Sequence, residues 1–346
     1  MKVIALVLGT LLWAAAAHGQ PAKYKIVTAS ERGTYFAIGQ DLARMVAPPA
    51  GIELEVLPTA GSAANVRLLR YEPGVKFAIV QADVFQAFID RAPGQPSASE
   101  LISPLRVILP LYDTEIHFIV RADSPLNYLH EIKNARINGG LIGSGAALIT
   151  STVYSMMFGE SIPDRNVSFL ANEEALVKLV NDKTVDVVTV AAGQPAPIIA
   201  NMKSEAKALI KLLKFDENHP SSKTILQTYA GATLRASSYP NLLTEDLRTV
   251  AVGAYLVTYD YKTRGTAERM SRFGRALCDN FATLQAQGHP KWREVSLALP
   301  ELGPGWVYYR PTSEAIRACV EKQGKPATRR GGASCSQPER ILGLCG

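Results

Sequence analysis

The residues best suited to chemistry in this chain are a run of glycines around one serine, Ile137-Asn-Gly-Gly-Leu-Ile-Gly-Ser-Gly-Ala146. A short apolar run ends in glycines, Ser144 follows, and Leu148, Val153, Met156 and Met157 then recur at helical spacing. The pattern predicts a strand, a tight turn and a helix with Ser144 near its N-cap. The first turn of such a helix offers unpaired N–H groups and the positive end of the helix dipole to an anion. Taken alone, the same residues also describe an ordinary strand-to-helix turn, because the glycines fit neither the dinucleotide nor the P-loop spacing.

Covalent or metal chemistry finds less support. A nucleophile needs a positioned base, and His18, His117, His130, His219 and His289 stand in no catalytic motif. His117 lies inside an apolar run and reads as a core histidine. No Gly-x-Ser-x-Gly elbow occurs, and Asp83 and Asp113 read as capping or ion-pairing carboxylates. The cysteines, Cys278, Cys319, Cys335 and Cys345, contain no Cys-x-x-Cys and have only His289 nearby, which argues against zinc. No cofactor is expected. An even, clustered set in an exported chain predicts disulfides with three pairings open; the arrangement expected here is Cys278–Cys319 and Cys335–Cys345.

The elements that must position the serine turn repeat along the chain. Tyr24–Thr28, Ile52–Leu57 and Phe77–Val80 read as strands, each followed by a polar loop and a helical pattern. Thr34, Tyr35, Thr59, Ser62, Asn65, Gln81 and Asp83 all fall where those strands end. Strand–loop–helix repeats predict an α/β fold with mostly parallel sheets flanked by helices, whose ligands lie beyond the carboxyl ends of the strands. Leu105–Leu111 and Ile116–Val120 are two apolar runs around Tyr112, Asp113 and Thr114, read as the crossing into a second lobe. The unit pattern resumes there with Ile137–Ile142, Val167–Leu170 and Val185–Val190, the last leading to Gln194 at a strand end. Glu173 and Glu174 suit a helix's first turn, a structural role. Ala208–Leu213 and Arg248–Val257 read as further strands, and Thr263–Gln287 as one long helix.

The chain has 346 residues and 47% apolar content, enough for two lobes with their own cores. Met1-Lys2, the apolar run Val3–Leu12 and the small residues up to Ala17-x-Gly19 form the pattern of a secretory signal, with cleavage expected before Gln20. A formal net charge of +6, part of it in the basic tail, leaves no basic stripe of the sort that nucleic acid requires.

Gly33-Thr-Tyr-Phe-Ala-Ile-Gly39, Thr59-Ala-Gly-Ser-Ala-Ala-Asn65, Ala78-Ile-Val-Gln-Ala-Asp83 and Gly143-Ser-Gly-Ala146 resemble the signature segments of the TAXI family. These are periplasmic solute receptors of tripartite ATP-independent (TRAP) transporters. The resemblance spans roughly residues 24–260, with the segments in family order; Ala146-Ala147 stands where members often carry Thr and a polar residue. It implies a two-lobed periplasmic binding protein, type II-like, with no enzymatic role, acting as a monomer. Its ligand would be a small carboxylate-bearing solute, an organic acid or an amino acid such as glutamate, and its partner an integral-membrane TRAP permease. Carried over by position, Gly33, Thr34, Tyr35, Ser62, Asn65, Gln81, Ser144, Gly145, Ala146 and Gln194 would line the ligand. Expected boundaries are a signal at 1–19, one lobe at 20–110 plus 240–320, the other at 111–239, and a basic tail at 321–346. A sensory accessory protein and an exported enzyme on the same scaffold are the competing readings.

Overall fold

The structure, a computed structural model, describes residues 20–303 and 305–324. The expected signal segment, Cys335, Cys345 and the tail from 325 onward lie outside the described residues.

Ten strands form one continuous sheet. They are β1 (Ala22–Val27), β2 (Ile52–Leu57), β3 (Val75–Gln81), β4 (Leu105–Arg121), β5 (Ile137–Asn138), β6 (Val167–Ser168), β7 (Val187–Ala192), β8 (Ile210–Leu212), β9 (Ala230–Leu234) and β10 (Leu247–Tyr259). The main path runs β2-β1-β3-β10-β4-β7-β5-β6, with β8 on β4 and β9 on β10. The outer strands pair in parallel (β1 with β2 and β3, β5 with β6 and β7), as strand–helix units require. The alternation of β2 sends Ile52 and Leu54 inward and Glu53 and Glu55 to water, which suits its place at the sheet edge.

Two long antiparallel strands carry the chain between the lobes. β10 pairs with β9 through residues 247–251 and with β3 through 254–257. β4 pairs with β10 along most of its length and with β7 only from Glu115 onward. The sheet therefore changes partners around residues 113–115 and 251–254, and these positions form the hinge between lobes. Here the structure joins what the sequence presents as two runs. Tyr112, Asp113 and Thr114 stay in one 17-residue strand because Gly253 and Val252 pair with Asp113 and Thr114.

The helices are α1 (Thr34–Asp41), α2 (Ser62–Tyr71), α3 (Ala82–Arg91), α4 (Pro96–Ile102), α5 (Gly145–Phe158), α6 (Asn172–Val177), α7 (Pro197–Ala200), α8 (Pro220–Ile225), α9 (Arg264–Asp279), α10 (Phe281–Gln287) and α11 (Arg310–Gly324). The first lobe's largest core gathers Ile26, Ile38, Phe77, Leu256, Phe273 and Trp292. The second lobe's gathers Ile116, Ile149, Val153, Ile225 and Tyr229. The long helix expected over Thr263–Gln287 is two helices. Asn280 breaks it, its side chain donating to the Ala276 carbonyl at 2.9 Å in competition with the helical ladder. α11 packs along α9, and Cys278–Cys319 joins them as the pairing expects. The approach is close at Gly274, where a Cβ would stand 2.8 Å from the Thr312 carbonyl oxygen. Ala208–Leu213 shortens to the three residues of β8 behind a 3-10 turn, and Val167–Leu170 to the two of β6.

Candidate functional site

Between the lobes, at the carboxyl ends of β1, β2, β3 and β7 and the start of α5, lies a cleft of about 800 Å³ including its open mouth. Gly33, Thr34, Tyr35, Thr59, Ser62, Gln81, Ser144, Gly145 and Ala146 line it.

The second lobe presents α5. Ser144 is its N-cap, and its Oγ accepts from the Ala147 N–H at 3.0 Å, as the spacing predicts. Gly140 and Gly143, at φ +86° and +87°, make the turn that aims the helix at the cleft. The N–H groups of Gly145 and Ala146 make no hydrogen bond among the described residues and remain for an acceptor in the cleft. The apolar floor comes from Val190, Ala191, Ala192 and Ile198.

The first lobe reaches across in several places. The Thr34 hydroxyl donates to the Gly193 carbonyl at 2.7 Å, and the Ala64 N–H in the first turn of α2 donates to the Gly143 carbonyl at 3.0 Å. Tyr35 and Thr114 exchange a hydroxyl bond at 3.3 Å, and burial raises the Tyr35 phenol so that it stays protonated. The Gln81 carboxamide lies directly over Gly145, whose added Cβ would fall 1.2 Å from Gln81 Oε1. Gly61 faces Ser144 across the same seam, a Cβ there standing 3.2 Å from Ser144 Cα. The lobes are closed on each other.

Three residues expected at the cleft are placed elsewhere. Asn65 is fully buried; its amide donates to the Thr28 and Ile79 carbonyls at 2.5 and 2.8 Å, and its oxygen accepts from Thr59 at 2.7 Å. It joins the ends of β1, β2 and β3 beneath the cleft. Asn65→Ala should strip the Ile79 carbonyl of its side-chain donor, leave the Thr28 carbonyl to the Thr59 hydroxyl alone and cost about 1–3 kcal/mol of stability. Urea unfolding would measure this, and a change within error would mean those bonds carry no weight. Gln194 turns away to the hinge, donating to Glu115 and Thr233 and accepting from the Arg235 N–H. Asp83 sits at the seam beside the cleft, 3.2 Å from the Tyr229 hydroxyl. In each case the polar group is consumed by neighbours distant in sequence.

Sequence reasoning passed over two charges at the mouth. Arg32 of the first lobe and Glu173 of the second line the cleft and face each other at 4.0 Å, both half exposed. Their signal was available: Arg32 stands in the loop after β1, and Glu173 in a first turn where the dipole alone accounted for it. A buried cluster behind the cleft was also missed. Lys291, fully buried, lies 2.6 Å from both Glu115 and Glu294, and Glu115 also takes two bonds from Gln194.

Among the described residues, no histidine, cysteine or lysine lines the cleft. His117 is a satisfied core residue, bonded to the Val190 carbonyl and the Tyr239 hydroxyl, with burial pushing its pKa down to about 4. Among the described residues, the one grouping of three donors close enough to hold a metal is Cys278, Asp279 and Cys319, and its two sulfurs are bonded to each other. No helix among them is long and apolar enough to cross a membrane.

Comparison with solved structures finds the same fold in a protein of Bordetella bronchiseptica RB50, at 13% identity over 88% of this chain and 99% of that one, with a TM-score of 0.52. A periplasmic transporter (14% identity, 88% and 99% covered, TM-score 0.49) and the periplasmic binding protein BugD (14%, 87% and 94%, 0.48) are more distant in shape. Comparison with curated protein sequences found no match. The sequence profile of the NMT1-like family matches residues 26–299, through both lobes and every element that lines the cleft, and the chain belongs to the NMT1-like family.

Proposed function

We propose that this protein is an exported solute receptor that closes on a small carboxylate-bearing molecule and delivers it to a membrane permease. The observation that carries the reading is the start of α5, where two N–H groups with no partner face a closed cleft between lobes. A carboxylate there would replace weak contacts with charge-assisted hydrogen bonds and meet the positive end of the helix dipole. Gln81 Oε1 now rests against that spot, an uncharged oxygen that a solute carboxylate would displace. Arg32, held only by a long and exposed ion pair, could turn to the same solute, since such pairs are worth little. Among the described residues the lining holds no histidine, cysteine or lysine, and its one carboxylate, Glu173, is paired with Arg32 at the mouth, which favours capture over catalysis.

The resemblance to TAXI receptors supports a TRAP-type permease as partner, an organic acid or amino acid as solute and the periplasm as the place of work. The ligand set in this reading is Gly33, Thr34, Tyr35, Thr59, Ser62, Gln81, Ser144, Gly145 and Ala146, with Arg32 added.

Native mass spectrometry of protein purified without denaturation should reveal a carried-over small acid, and calorimetry would then give its affinity. Ser144→Ala is expected to weaken binding by about 0.5–2 kcal/mol through loss of the cap that orients the free amides. Unchanged affinity would place the carboxylate away from α5.

A further inference from the structure

Asp83 is an ionisable group at the lobe seam that solute capture leaves unused. It opens α3 in the first lobe, and Ala82 beside it packs on the core of the second. Across the seam stands Tyr229, 2% exposed, whose hydroxyl donates to Asp83 Oδ2 at 3.2 Å. The carboxylate also accepts from its neighbour, the Val84 N–H, at 2.8 Å. The titratable groups facing it are Tyr229 and, from α1, Tyr35, both phenols that burial keeps protonated. No lysine, arginine or histidine pairs with Asp83 among the described residues. A carboxylate half-buried between two lobes, with no cation beside it among the described residues, favours its neutral form.

We propose that Asp83 is a proton-binding site built into the lobe seam, so that closure on a solute takes up a proton. The proposal rests on the reading of the cleft as one that closes on a ligand. In the closed lobes desolvation pushes the Asp83 carboxyl up from an ordinary 3.8 to about 6, against the Val84 and Tyr229 bonds that hold it down. Opening the seam readmits water and returns it towards the ordinary value. The group's pKa is raised in the closed form, so its contribution to closure is fully present below about 3.8 and is lost as the pH rises through about 6. Across that window the ratio of closed to open protein should change on the order of a hundredfold. Acidification would thus tighten solute capture, and release would return the proton.

The test uses the full chain without solute, so it stays readable even if no carboxylate ligand is ever found. Protein labelled with carbon-13 at the aspartate carboxyls is titrated by NMR, and the Asp83 resonance is identified by its loss in Asp83→Asn. It should titrate near 6 in the wild type and near the ordinary 3.8 in Gly61→Val, where a side chain wedges against Ser144 and parts the lobes. Small-angle scattering should show a smaller radius of gyration at pH about 5 than at about 8, a difference that Asp83→Asn abolishes. A wild-type titration near 3.8, a radius of gyration that ignores pH, or a pH response that survives in Asp83→Asn would each overturn the proposal.

Discussion

Lys291→Met is expected to destabilise the protein by about 3–5 kcal/mol, the usual cost of removing one partner from a buried ion pair. The Lys291 side chain is wholly shielded from solvent, and its ammonium bonds Glu115 and Glu294 at 2.6 Å each while lying 5.5 Å from the centre of the Tyr112 ring. Methionine keeps most of the stem and its packing but leaves the Glu115 carboxylate, itself 4% exposed, with only the two Gln194 donors. The position magnifies the effect. Glu115 is where β4 exchanges β10 for β7, pairing with Ala251 on one side and Ala192 on the other. Lys291 thus ties the C-terminal part of the first lobe to the hinge. Urea unfolding would measure the loss. In the double variant Lys291→Met, Glu115→Gln, where no uncompensated charge remains, much of the stability should return. A single variant within 1 kcal/mol of wild type would show the network to be dispensable.

Gly61→Val should cost about 1–3 kcal/mol in backbone strain and, in addition, prevent the lobes from closing. Gly61 precedes α2 at φ +129°, ψ −155°, a conformation essentially reserved for glycine. The backbone cannot relax freely, because the Gly61 N–H donates to Thr59 Oγ1 and its carbonyl accepts from the Asn65 N–H. The new side chain would also point at Ser144, whose Cα lies 3.2 Å from the position of a Cβ. Backbone atoms at the cap of a 14-residue helix cannot swing aside as a side-chain tip would. Scattering should show a larger radius of gyration than wild type, and any solute found by mass spectrometry should bind at least about tenfold more weakly. Equal compaction together with equal affinity would mean that the Gly61–Ser144 contact plays no part in closure.

Much of the fold was legible because its signals are local. The alternation in Ile52–Leu57, the apolar run Phe77–Val80 and the glycines before Ser144 each declare an element within a few residues, where backbone sterics and capping decide the outcome. β9 and α11 carry weaker patterns. β9 is held by pairing with the next strand, β10, across a loop, and α11 by α9 some 41 residues earlier, and no short window announces either.

Local residue patterns dictate the strand–loop–helix units, the cap at Ser144 and the set of polar residues gathered at the strand ends. Each depends on torsion preferences and periodicities shorter than about a dozen residues. Only the tertiary structure decided which of those polar residues face the cleft. Asn65, Gln194 and Asp83 are polar residues next to strand ends, as Ser62 and Gln81 are, yet burial beside carbonyls, Glu115 or Tyr229 claims their hydrogen bonds. A buried polar group must pair with whatever packing brings near, and packing joins Asn65 to Thr28, Lys291 to Glu115 and Arg32 to Glu173 across 37, 176 and 141 positions of chain. Those juxtapositions are properties of the folded chain, and no local spacing encodes them.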